Sequence, residues 1–249
     1  MDTLFLNELA RAIVASATFL YAGIEDWRKR DISPWTWVPG AAVGVSLSTL
    51  EVFYLGLNPF LLVSLIVTLL IVVAFAIAVF LLRAMGGADF LAVACLASLM
   101  PFPFLRLHGL LGRSIVPPLL HVMLYSALLS LAPVIANVVH NARRKHLFDS
   151  LRLSGLRRVK LFLTARVLTI EELERKRFYY PLYVPGVVDR SSFDVEEDDR
   201  AWVEKLREAG ARLVVATWGV PTVTLLCVAT LIYLSLGVSP IDAAIACLR

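Results

Sequence analysis

The chain has 249 residues, 59% of them hydrophobic, and a mean hydropathy of +0.76. Soluble domains sit at about 45–50% apolar, so a water-soluble globular protein is set aside. The formal net charge of +4 is small, and its basic residues gather beside apolar runs, so it reads as membrane topology; a nucleic-acid partner, which needs a concentrated basic face, is not expected.

Six apolar runs of about 20 residues, the length that crosses a hydrocarbon core of about 30 Å, are expected at roughly 4–25, 35–57, 60–82, 89–106, 114–139 and 211–237. The first lacks a basic start and a small-residue cleavage site, so it reads as a retained span. Arg11 interrupts it, and the span is expected to begin near Ala12. Residues 60–82 carry no charge and form the clearest span. Pro101, Pro103, Arg106 and His108 make the end of the fourth run ragged. Lys and Arg near span ends mark the cytoplasmic side. Arg28, Lys29 and Arg30 follow the first run, Arg83 the third, and Arg143, Arg144 and Lys145 the fifth. The other side holds Arg106, Arg113 and Arg249, which places both termini outside.

The expected architecture is an all-α polytopic membrane protein of about six transmembrane helices. Residues 1–139 would hold the first five, 140–210 a small α+β cytoplasmic insert, and 211–249 the sixth helix and a tail. Within the insert, Val159–Leu168 alternates and predicts a short strand. Thr169-Ile-Glu-Glu172 fits a capping box that starts a short helix. Tyr179–Val188, with Pro181, Pro185 and Gly186, predicts loop. Glu196–Ala209 predicts an amphipathic helix with Trp202, Val203 and Leu206 on one face, closed by Gly210. The acids Asp194, Glu196, Glu197, Asp198 and Asp199 read either as carboxylates at a helix N-terminus or as a docking surface for a basic peptide. Cys95, Cys227 and Cys247 and the four histidines lack metal-ligand spacing. No metal or cofactor is expected, and the sequence sets no oligomeric state.

Two acids stand out. Asp26 lies at the end of the first run and Asp89 opens the fourth, after Gly86-Gly87-Ala88. Carboxylates at hydrocarbon depth cost several kcal/mol, roughly, unless partnered, and are candidate functional sites. Alternation of the spans brings both to the cytoplasmic face, where they could form a dyad. The plainer readings are an interfacial acid paired with Arg28, Lys29 or Arg30 for Asp26, and a simple N-cap for Asp89. Gly86 and Gly87 would give the backbone unusual conformations and let a substrate chain approach closely.

Asp26-Trp-Arg-Lys-Arg-Asp-Ile-Ser-Pro34 resembles the Asp-x-Arg-x-Arg-x-Ile-Pro-Asn segment of type IV prepilin peptidases. Gly86-Gly-Ala-Asp89 resembles their Gly-x-Gly-Asp motif, and Trp218-Gly-Val-Pro221 is similar to a segment opening the last span of the archaeal enzymes. Two departures are Ala88 in place of glycine and Ser33 inserted before Pro34. The resemblance, strongest to archaeal preflagellin and prepilin peptidases, implies an aspartyl endopeptidase with Asp26 and Asp89 catalytic. Gly86, Gly87 and Ala88 would form the substrate approach, and the acidic cluster could bind a leader. It implies removal of short basic leaders from archaellin or type IV pilin-like precursors at the cytoplasmic face of the cell membrane. Helix dipoles alone predict Asp89 as the ionised base and Asp26 as the protonated acid. The alternative is a proton-coupled transporter with Asp26 and Asp89 as relay groups. Presenilin-like proteases share Gly-x-Gly-Asp, but their Tyr-Asp and Pro-Ala-Leu motifs do not occur in this chain.

Overall fold

The computed structural model describes residues 2–56, 58–81, 86–108, 116–151, 153–190 and 199–241. Arg83, Arg113, Asp194, Glu196, Glu197, Asp198, Cys247 and Arg249 lie outside the described residues. The chain divides into two compact units, Met1–Leu129 with Pro221–Arg249, and Ser130–Val220.

The first unit is helical. Helix α1 spans Thr3–Lys29, with the Asp2 side chain accepting from the Leu4 N–H at 3.1 Å. Its C-terminus is closed by Arg30 in the left-handed conformation, φ +60°, whose N–H donates to the Asp26 carbonyl at 3.1 Å. Helix α2 (Trp37–Leu55) follows a single 3-10 turn at Pro34–Thr36. Helix α3 (Pro59–Ala76) widens into a π turn over Ile77–Leu81. Helix α4 spans Gly87–Leu99, α5 Pro118–Leu129 and α11 Thr222–Leu236. Ala15, Phe19, Leu96, Leu99, Leu119, Val122, Leu226 and Ala229 form the shared core.

Among the described residues four helices are long and apolar enough to cross a membrane: Thr3–Lys29, Pro34–Leu55, Pro59–Leu81 and Pro118–Arg143. The fourth and sixth expected runs give shorter apolar helices. Pro101 and Pro103 cannot continue a helix, and α4 stops at Leu99 after 13 residues, a length of about 20 Å. The sixth expected span begins at Thr222, because the residues from 213 to 218 form a strand.

Arg11 does not delay the first span. It is fully buried and ion-paired with Glu51 of α2. Its guanidinium stands 4.9 Å from the centre of the Phe104 ring, and the Asn7 amide also reaches Glu51 at 3.4 Å. One turn away, the Glu8 carboxylate accepts the backbone N–H groups of Arg106, at 2.9 Å, and Leu107, at 2.7 Å. These residues follow the end of α4, where no helix supplies acceptors, and unpaired backbone groups are costly in apolar surroundings.

The second unit contains α6 (Leu131–Arg143), α7 (Lys145–Ser150), α8 (Gly155–Thr164), β1 (Arg166–Thr169), α9 (Ile170–Glu174), β2 (Tyr179–Val184), β3 (Val188–Asp189), α10 (Asp199–Glu208) and β4 (Leu213–Trp218). The four strands form one antiparallel sheet in the order β1-β4-β2-β3. Alternation along the strands covers both faces. Leu168, Val214 and Ala216 pack with Leu173, Val203 and Leu206 of α9 and α10. Val167, Leu182 and Val215 pack with Phe148, Leu151 and Leu161 around α7 and α8.

Two expectations fail in this unit. The strand expected over Val159–Leu168 is helix to Thr164, since Leu161 faces the core while Val159 is exposed, and strand only from Arg166. The loop expected over Tyr179–Val188 is the β2–β3 hairpin. Pro181 is tolerated because the β2–β4 register shifts between Pro181 and Tyr183, and an irregularity is where a strand accommodates a missing donor. The capping box holds: Thr169 Oγ1 accepts from the Glu172 N–H at 3.3 Å and the Glu172 carboxylate from the Thr169 N–H at 3.0 Å. Helix α10 forms where an amphipathic helix was expected, and Gly210 follows it at φ +68°.

Candidate active site

Asp26 is buried in the last turn of α1. Its Oδ2 accepts the backbone N–H of Thr224 at 2.9 Å and lies 3.2 Å from the Thr224 hydroxyl. Its Oδ1 stands 3.7 Å from Nη1 of Arg30. Thr224 is in the first turn of α11, whose cap position is Pro221 and lacks a side-chain cap. A carboxylate is favoured at a helix N-terminus and disfavoured at a C-terminus. Asp26 therefore sits at both kinds of end, that of its own helix and that of α11. The Thr224 hydroxyl has one hydrogen and two acceptors, Asp26 Oδ2 and the Gly23 carbonyl at 2.8 Å.

This arrangement depends on close packing of α1 and α11. A Cβ built on Gly23 would come within 2.9 Å of the Cys227 Cβ. Glycine at this point lets the helices approach until Thr224 reaches Asp26, as small residues do at membrane helix interfaces.

Asp89 occupies the third position of α4, with Gly86 as the cap. The simple N-cap reading of Asp89 is thereby corrected. Its Oδ2 accepts the Gly86 N–H at 3.3 Å, while the Gly86 carbonyl accepts from Asp89 N–H at 3.2 Å. Gly86 is extended, with φ −76° and ψ 154°, and Gly86 and Gly87 are not among the positive-φ glycines. The expectation that they supply unusual backbone conformations is not met. What they leave is room: a Cβ on Gly87 would meet nothing within 4 Å.

Asp26 and Asp89 stand on helices that pack on one another, α1 and α4. Of the acidic residues of the expected leader surface, only Asp199 is described, as the first residue of α10. Trp218 ends β4, and Pro221 precedes α11. Thr224 escaped the sequence reading. A polar residue near the start of the last apolar run was its only local signal.

Four helices long and apolar enough to cross a membrane, among the described residues, define a membrane protein. Residues 13–135 match the type IV leader peptidase family. That segment contains both acids, and over it the chain belongs to this family; it is a membrane protease of the prepilin-peptidase kind. A comparison with curated proteins returns no match.

Proposed function

We propose that this protein is an aspartyl endopeptidase that removes the short basic leader from archaellin or type IV pilin-like precursors at the cytoplasmic membrane face. Asp26 and Asp89 are its catalytic pair. The observation that carries the proposal is that both acids stand on packed helices inside the segment that matches the leader peptidases. Six membrane crossings with both termini outside would put the end of α1 and the start of α4 at the inner surface, where a basic leader meets the apolar helix of its precursor.

In the reaction, the oxygen of a water adds to the scissile carbonyl carbon. One ionised carboxylate takes the proton that water releases. The other, protonated, gives its proton to the carbonyl oxygen. The C–N bond then breaks as the amine takes the proton held by the first carboxylate, while one hydroxyl of the intermediate returns its proton to the second, restoring the pair. Two close carboxylates share one proton in this way because both ionise together only at high cost. The Thr224 N–H on Asp26 Oδ2 and the Arg30 cation 3.7 Å from Oδ1 support Asp26 as the proton acceptor, since an ionised carboxylate only accepts hydrogen bonds. Asp89, with one backbone donor, is then the acid. This reverses the roles that the dipoles of α1 and α4 alone predict.

The test is cleavage of a precursor with a basic leader by purified protein in lipid, beside Asp26→Asn and Asp89→Asn. Both variants should fold and lose measurable cleavage. Wild-type rates in either would remove the pair from the mechanism.

A further inference from the structure

Helix α8 carries an apolar stripe on its outer side that none of the described residues covers. Leu156, Val159 and Leu163 are 89%, 55% and 38% exposed. Their spacing of three and four residues puts them on one helix face. The opposite face supplies Leu161 to the core, and Phe162 packs edge-on against Phe148 with ring centres 5.2 Å apart.

The position of α8 along α6 says what covers the stripe. The Asn137 amide donates to the Leu163 carbonyl at 3.1 Å, and the Asn141 amide donates to the carbonyls of Phe162, at 2.9 Å, and Ala165, at 2.7 Å. Arg166 Nε returns a bond to Asn137 Oδ1 at 2.7 Å. Both asparagines belong to the candidate span Pro118–Arg143. At about 1.5 Å of rise per residue they lie about 9 and 3 Å inside its end. Taken as a membrane crossing, that candidate span would put the end of α8 near the depth at which it leaves the hydrocarbon. On α6 itself, Leu131, Ile135 and Val139 are exposed at a spacing of four residues, an apolar stripe as expected of a lipid-facing helix.

We propose that α8 is an interfacial helix whose Leu156, Val159 and Leu163 insert into the bilayer surface and hold the second unit against it. An amphipathic helix of this kind sinks about 5–10 Å into the boundary between headgroups and acyl chains. Two of the cations on α8 are already engaged: Arg157 donates to Asp189 at 2.8 Å, and Arg158 pairs with Asp149 at 2.5 Å. The docking therefore rests on the apolar stripe and depends little on anionic lipid.

The wild-type chain in lipid nanodiscs tests this directly, with a photoactivated carbene carried on the lipid near the headgroup. One set of discs is zwitterionic and one contains anionic lipid. Label is expected on residues 155–164 in both sets. It should be well above that on α10, an amphipathic helix whose Val203 and Leu206 are buried in the protein core. Helix α3 serves as the membrane-spanning reference. The pair Leu156→Glu and Val159→Glu should abolish the label on 155–164 while α3 keeps its own. Labelling of 155–164 no higher than α10 in both discs would overturn the proposal, as would label that appears only with anionic lipid.

Discussion

Asp26 and Asp89 were legible because each lies in a short local motif at the end of an apolar run. Thr224 was not, because it stands 198 residues from the acid it serves, and no local pattern encodes such a pairing. Its hydroxyl can be separated from its N–H by substitution. Thr224→Val keeps the backbone donor and removes the hydroxyl. Where its one hydrogen turns to Asp26 in the reaction, a hydrogen bond to a charged group contributes about 1.5–3 kcal/mol, so kcat should fall about tenfold to hundredfold. KM should change little, and Thr224→Ser should restore most of the rate. Steady-state kinetics on a precursor would show it; equal losses in the valine and serine variants would mean a packing role. Gly87 makes a second case. Its missing side chain leaves open space, so Gly87→Val should leave thermal stability within about 0.5 kcal/mol, as at other unconstrained surface sites. If that space receives substrate backbone, kcat/KM should fall sharply; an unchanged value would show that the space is unused.

At the scale of elements, the sequence located most helices and misread what sits inside them. Arg11 looked like a break because its partner Glu51 lies on another helix. Burial of both makes the pair sensitive in a particular way. Removing one partner of a buried ion pair leaves an uncompensated charge and costs about 3–5 kcal/mol, while replacing both with apolar residues is often near neutral. Arg11→Met should therefore lower the thermal midpoint in detergent strongly, and Arg11→Met with Glu51→Met should recover most of it. Additive losses would contradict this account. Strand β2 was hidden for a different reason. Pro181, Pro185 and Gly186 signal a break, yet the proline falls at the β2–β4 register shift and Gly186 turns the hairpin at φ +73°. Composition carries no record of which donors a neighbouring strand needs.

For the whole molecule, hydropathy announced a membrane protein, and the two aspartate motifs named the family that the match over residues 13–135 supports. The division into two compact units predicts that they respond differently to acid. Glu172 is held at about 2 against an ordinary 4.5, first by hydrogen bonds from Arg144 at 2.5 and 2.6 Å and then by the Thr169 N–H. A carboxylate lowered in the folded state stabilises fully above its unfolded value, and that stability is lost as pH falls through the folded value. The second unit should therefore weaken between about pH 4.5 and 2. Fluorescence of Trp202 and Trp218 during acid titration would follow it, and Glu172→Gln should flatten the response. An identical titration in both proteins would assign the acid sensitivity elsewhere. The bond from Thr224 to Asp26 also bears on how the protein is made. Synthesis runs from the N-terminus, so Asp26 and Asp89 exist long before the residue that orients one of them. A chain still on the ribosome, its last helix unmade, holds both acids without that donor. Under the proposed mechanism, Asp26 gains this donor only once that helix has been made.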